Sequence, residues 1–242
     1  MSPVLIELCL LLRDFLGDHD LDAELAALPD EDLYHHTTFA LSLQHSGRDF
    51  TARPAPELAH IAAAVLRRLS TGPLGDTSLR SPQARYATTP TPHPVQIADA
   101  PAGHDKPLGA LWTSSLLSSG TSMWQWGEQA EFGSDRTLFT VAFDPTAIRL
   151  FTIDSPSDYR RLVNRYPRSA RGRASVCWSR AAEDLDAVHL TVPGLLTAHH
   201  FPITTPHGTA TLTGWDAEST AWLRLPPSLE VTPHHRAVEP PG

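Results

Sequence analysis

Cysteine is nearly missing from this 242-residue chain: only Cys9 and Cys177 occur, far apart and in no metal-ligand spacing. That count gives no disulfide framework and fits a reducing compartment. Long apolar runs are also scarce. The apolar start, Pro3 to Leu12, is interrupted by Glu7, lacks a basic n-region and is followed by Arg13-Asp14 rather than a small-residue cleavage site. It reads as a buried helix, not a signal sequence, and is too short to span a bilayer. Gly-x-Gly-x-x-Gly and P-loop patterns are absent, which disfavours a Rossmann cofactor site and Walker-type NTP binding. No Gly-x-Ser-x-Gly elbow, His-Glu-x-x-His or internal repeat is present. Nor is there an excess of positive charge. The net charge of −8 gives no broad attraction to nucleic acid or anionic lipid. These absences predict a cytoplasmic protein with no membrane partner and no generic nucleic-acid coating.

What is present is globular in composition, 41% hydrophobic and 19% charged, enough to bury a core. The first third is helical in periodicity. Leu5, Leu8, Leu11, Leu12, Phe15 and Leu16 recur at helical spacing, with Gly17 as a stop. Leu21 to Leu28 forms a second short helix, and Pro56 to Leu69 is the clearest helix in the chain. From Gly72 to Pro107 prolines, serines and threonines mark a loop-rich stretch. Strand and helix signals then alternate, including a helix from Ser155 with Pro156 at its first position. This organisation predicts an α+β chain: a helical N-terminal region (1–75), a mixed α/β domain (76–227) and a Pro-rich loose tail (228–242). The arginines at 160, 161, 165, 168, 171 and 173 read as a solvated helix face running into a basic loop.

Two constellations stand out. Trp112-Thr113-Ser114-Ser115 ends a strand in hydroxyl residues, and Trp124 and Trp126 follow soon after, in a chain only 7% aromatic. They are either core anchors or an aromatic wall beside a planar ligand, with Thr113 and Ser114 supplying hydroxyls. Further on, Asp216 and Glu218 stand two apart before a strand over 220–225. In extended chain they point to the same side. One carboxylate there stabilises a developing oxocarbenium ion while the other orients an acceptor. The alternative is a turn with an incidental Glu218.

Arg85-Tyr86, Trp112-Thr113-Ser114-Ser115 and Asp216-Ala217-Glu218, in that order, resemble the arginine, Ser-Thr-Ser and Glu-x-Glu pattern of the ADP-ribosyltransferase superfamily. The resemblance covers about Arg85 to Leu225. It implies two small sheets around a cleft that takes NAD as substrate, and mono-ADP-ribosyl transfer or NAD glycohydrolysis onto an unknown acceptor. By that resemblance Glu218 is the catalytic glutamate, Asp216 faces the acceptor, and Arg85, Trp112, Thr113, Ser114 and Trp124 hold NAD. His36, from Tyr34-His35-His36-Thr37, is the alternative first motif, as in the branch of the superfamily that begins with histidine. Two other classes stay open: a binding or regulatory module without catalysis, and a nuclease-like hydrolytic toxin using Asp216, Glu218 and a histidine. Thirteen histidines invite a metal reading, but His35-His36, His199-His200 and His234-His235 are adjacent pairs that do not face one ion, and no metal site is expected.

Overall fold

The computed structural model describes residues 1–16, 20–47, 49–99, 105–133, 135–226 and 228–234. Among them, eight α-helices and three small sheets make an α+β fold. The first third holds α1 (Pro3–Leu16), α2 (Leu21–Ala27), α3 (Asp30–Ser42) and α4 (Ala59–Thr71). Helix α1 buries most of its circumference, including Val4, Leu5, Ile6, Leu8, Cys9 and Leu12, as a helix apolar nearly all round must. Helix α4 is amphipathic and turns Ile61, Ala62, Val65 and Leu69 inward. Its Arg68 donates to the Leu25 and Leu28 carbonyls and pairs with Asp30, joining the end of α2 to the start of α3. Helix α3 carries almost no apolar stripe, which is why periodicity does not reveal it. Asp30, Glu31 and Asp32 in its first turn complement the helix dipole instead. The expected stop at Gly17 lies outside the described residues.

The second part contains β1 (Gln83–Ala87), β2 (Leu111–Thr113), α5 (Gln125–Phe132), β3 (Thr137–Ala142), β4 (Leu150–Ile153), α6 (Pro156–Arg165), β5 (Pro167–Ala170) and β6 (Arg173–Val176). It continues with α7 (Trp178–Asp184), β7 (Ala187–Leu190), α8 (Val192–Ala198), β8 (Pro202–Thr205), β9 (Gly208–Thr211), β10 (Ser219–Trp222) and β11 (Glu230–Pro233). The sheets have the orders β1-β3-β11, β2-β10-β7-β4 and β5-β6-β9-β8. The first two meet at one residue pair: Ala84 and Ser114 exchange both backbone hydrogen bonds, at 2.7 and 2.9 Å. Past that pair β1 runs in register with β3, and β2 with β10, so the sheets part.

Helix α6 starts as its sequence predicts. Ser155 accepts from the Asp158 N–H, and Asp158 returns bonds to Ser155 Oγ and the Asp154 N–H. The basic stretch after it differs from expectation. It is not a loop but the antiparallel hairpin β5–β6, with Arg168, Arg171 and Arg173 exposed. The tail expectation also needs correction: Glu230–Pro233 is a strand paired to β3, and only 235–242 lie outside the described residues.

The expected boundary at residues 75 and 76 is no gap in the core. One continuous apolar cluster includes Leu8, Tyr34 and Val65 from the first third and Trp178, Leu195 and Trp215 from the second. Ser2 donates to the Leu196 carbonyl, and α1 packs on α8. No helix among the described residues is long and apolar enough to cross a membrane.

Candidate functional site

Strands β1, β2 and β10 lie side by side, so the three sequence motifs converge on neighbouring strands. Registers then decide which residues meet. Thr220 stands opposite Thr113 in the β10–β2 pair, which carries Glu218 to Ser115. Glu218 is buried, and Ser115 donates to it twice: its backbone N–H to Oε2 at 2.9 Å and its hydroxyl to Oε1 at 2.7 Å. The Glu218 N–H is in turn accepted by the Tyr34 hydroxyl at 3.1 Å. A residue of α3 thus braces the start of β10. Ser114, expected among the residues that hold NAD, is buried and shares a hydrogen bond of 3.0 Å with Ser122.

Behind Glu218 runs a buried polar chain. Trp222 Nε1 donates to Thr113 Oγ1 at 2.8 Å, Thr113 donates to Gln83 Oε1, and Gln83 Nε2 donates to Thr220 Oγ1 at 2.9 Å. Thr220 then meets His189 Nδ1 at 2.9 Å, and His189 Nε2 lies 3.5 Å from Glu218 Oε1. Which ring nitrogen carries the imidazole proton sets the direction of the Thr220 bond. Burial lowers the His189 pKa to about 4, so the ring is neutral at pH 7. Burial pushes the Glu218 carboxyl up to about 7, against the opposing pull of the two Ser115 bonds. Thr113 therefore belongs to this chain rather than to an open ligand wall.

A second feature opens where the two sheets part. It is a cleft of about 530 Å³ between the end of β1, the start of β2, helix α5 and the 214–219 segment. Arg85, Lys106 and Arg136 supply cations, and Trp112, Trp124 and Phe132 supply aromatic faces. Arg85 is mostly buried and donates to the Thr89 and Pro90 carbonyls. Trp112 packs edge-on against Trp215 at 4.8 Å, with Lys106 Nζ 6.0 Å from its ring. Trp124 Nε1 donates to the Glu218 carbonyl and to Ser219 Oγ, at 3.2 and 3.1 Å. The cleft floor is therefore the backbone that carries Glu218.

Asp216 lines this cleft, is exposed and accepts from Gln44. Glu218 instead borders a separate void of about 20 Å³, room for a single water, together with Ser115, His189, Thr191 and Arg80. The expectation that Asp216 and Glu218 share a side fails because the chain bends at Ala217 and Glu218 and becomes a strand only at Ser219. The buried side chain of Met123 lines both the cleft and the void. His36 is remote from this chain of contacts: its Nδ1 meets the Asp32 carbonyl and its ring packs on Phe15.

Residues that sequence reasoning overlooked are as informative as those it found. His189 sits on β7 between buried Val188 and Leu190, where a lone histidine in an apolar strand signals a satisfied interior partner. Glu128 and Arg136 pair across the cleft wall at 3.2 Å. Among the described residues no group of three or more His, Cys, Asp or Glu is placed to hold a metal ion. Compared with models of known families, with curated proteins and with solved structures, the chain matches none.

Proposed function

We propose that the chain is an NAD-consuming enzyme of ADP-ribosyltransferase-like build, a mono-ADP-ribosyltransferase or NAD glycohydrolase. In this reading the dinucleotide enters the cleft between the two sheets, and Glu218 acts on its nicotinamide ribose once Met123 turns aside. The observation that carries it is the meeting of Ser115 and Glu218, 103 residues apart, one residue beyond the Ser114–Ala84 bridge to the strand that holds Arg85. A carboxylate held by two donors in a buried setting is positioned before substrate arrives, the requirement for electrostatic stabilisation of a transition state. The aromatic and cationic walls of the cleft suit a planar, phosphate-bearing ligand.

The chemistry asks little else of the protein. The bond between C1′ of the ribose and the nicotinamide nitrogen breaks, and its electron pair leaves with the nicotinamide. Positive charge builds on the ribose beside ionised Glu218. An acceptor oxygen or nitrogen, or water, then bonds to C1′ and gives its proton to solvent. Activity should rise with pH through about 7, because Glu218 acts in its ionised form. Incubating the protein with NAD and measuring free nicotinamide tests the reading. Glu218→Gln should slow release about 100- to 1,000-fold with little change in folding. Equal release by both proteins contradicts it.

A second reading, a binding module without catalysis, is favoured by one observation: both Glu218 oxygens are already satisfied and only 2% of the residue is exposed. It expects saturable quenching of tryptophan fluorescence by NAD with no nicotinamide released.

A further inference from the structure

Helix α5 forms one wall of the cleft, and its Glu128 is nine-tenths buried. One carboxylate oxygen, Oε1, takes a hydrogen bond from Arg136 Nη1 at 3.2 Å. The other, Oε2, is out of contact with water and has no hydrogen-bond partner among the described residues. An unmet buried carboxylate oxygen is costly, so this position calls for a donor that the described residues do not supply. Arg136 is fixed on its other side as well, its guanidinium lying 3.6 Å from the centre of the Phe132 ring. The pair is therefore held in place, with the carboxylate's terminal torsion its softest freedom. Glu131, one turn further on, also lines the cleft, which makes the α5 wall acidic. Arg85 and Lys106, outside α5, are the cations placed for phosphate.

We propose that Glu128 recognises a ribose diol of the bound dinucleotide, that of its adenosine half, and so sets a preference for NAD over its 2′-phosphorylated form, NADP. The inference rests on the dinucleotide reading above and adds which sugar hydroxyls the cleft reads. Two vicinal hydroxyls present two donors to one carboxylate, and a turn of its terminal torsion brings Oε2, closed off from water in the free protein, to meet them. A phosphate at the 2′ position removes one donor and sets a dianion against the carboxylate.

Calorimetric titration of NAD and NADP into the 242-residue chain tests this. The wild type should favour NAD by roughly 10- to 100-fold, the range of a hydrogen bond to a charged group. Glu128→Gln should bring the two affinities together, NADP gaining as Arg136 is freed from its carboxylate. Glu128→Asp, which keeps the charge, should still reject NADP, and it serves as the arm that holds should the glutamine variant fail to fold. NAD binding with an NAD-to-NADP ratio that neither substitution moves overturns the role of Glu128 while leaving the dinucleotide reading intact. A wild type that binds neither nucleotide overturns both.

Discussion

The two sides of the 214–222 segment obey different rules. On one side Glu218, Thr220 and Trp222 join a polar chain in which every donor has an acceptor and no member is more than 8% exposed. On the other, Asp216, Ala217 and Ser219 line a cleft of about 530 Å³ walled by charged and aromatic side chains. The first arrangement is what a fold must do with polar groups it buries. The second leaves charge and aromatic surface available, as a surface that meets a ligand does. Glu218 belongs to the satisfied side by its carboxylate and to the open side by its carbonyl, which Trp124 holds. Chemistry at this place thus requires the two sides to communicate, and Met123 is the side chain that borders both.

The comparison breaks most visibly at Thr220. Thr220→Val removes the acceptor of Gln83 Nε2 and the partner of His189 Nδ1 together, stranding two buried groups. At about 1–3 kcal/mol for each group, the melting temperature should fall by many degrees. A variant as stable as wild type would show the chain to be ornamental.

A titration probes Glu218 itself. Its folded pKa of about 7 lies above the ordinary 4.5, so the fold favours the protonated form. The stability it contributes is therefore full below about 4.5 and lost as pH rises through about 7. Denaturant unfolding of wild type and Glu218→Gln across this range should show the wild type losing about 3 kcal/mol relative to the variant. His189, whose pKa is lowered, works in the opposite sense, but it is common to both proteins. Parallel stability curves would mean that Glu218 is no harder to ionise than a surface glutamate.

Tyr34→Phe is a smaller perturbation and asks whether the helical third supports the site. It removes the Tyr34 hydroxyl that accepts from the Glu218 N–H and should cost about 1–2 kcal/mol in chemical denaturation. No loss would sever the proposed brace. Smallest of all, Asp216→Asn on the exposed cleft side should change stability by under about 0.5 kcal/mol, measured the same way. A large loss there would erase the distinction between the two sides.

Much of the frame was legible in the sequence, and the failures have physical causes. Ser155-Pro156 with Asp158 announced α6 because capping is local chemistry. The alternation from Thr137 to Phe143 predicts a strand, and β3 lies there because one of its faces is buried. Helix α3 was hidden because it is held by Tyr34, Thr37 and Leu41 rather than by a broad apolar stripe. The hairpins β5–β6 and β8–β9 were hidden because their strands are four residues long and half exposed. At the site, the motifs named Arg85, Ser114 and Glu218, but which neighbours each would meet depended on strand register. A step of one residue along a strand reverses the face, and only the pairing with β10 shows that Ser115, not Ser114, meets Glu218. The pairing of Asp216 with Glu218 assumed extended chain where the backbone bends. Glu128 carried no signal, because its meaning lies in an unpaired oxygen that only the packed structure reveals.

The most direct test removes the side chain between the two regions. Met123→Ala should open Glu218 to the cleft, and nicotinamide release from NAD should be faster than in wild type at saturating NAD. Adding Glu218→Gln to that variant should abolish the gain. If NAD saturates the cleft, as followed by tryptophan fluorescence, yet Met123→Ala releases no nicotinamide, then Glu218 does not act on the ligand the cleft holds.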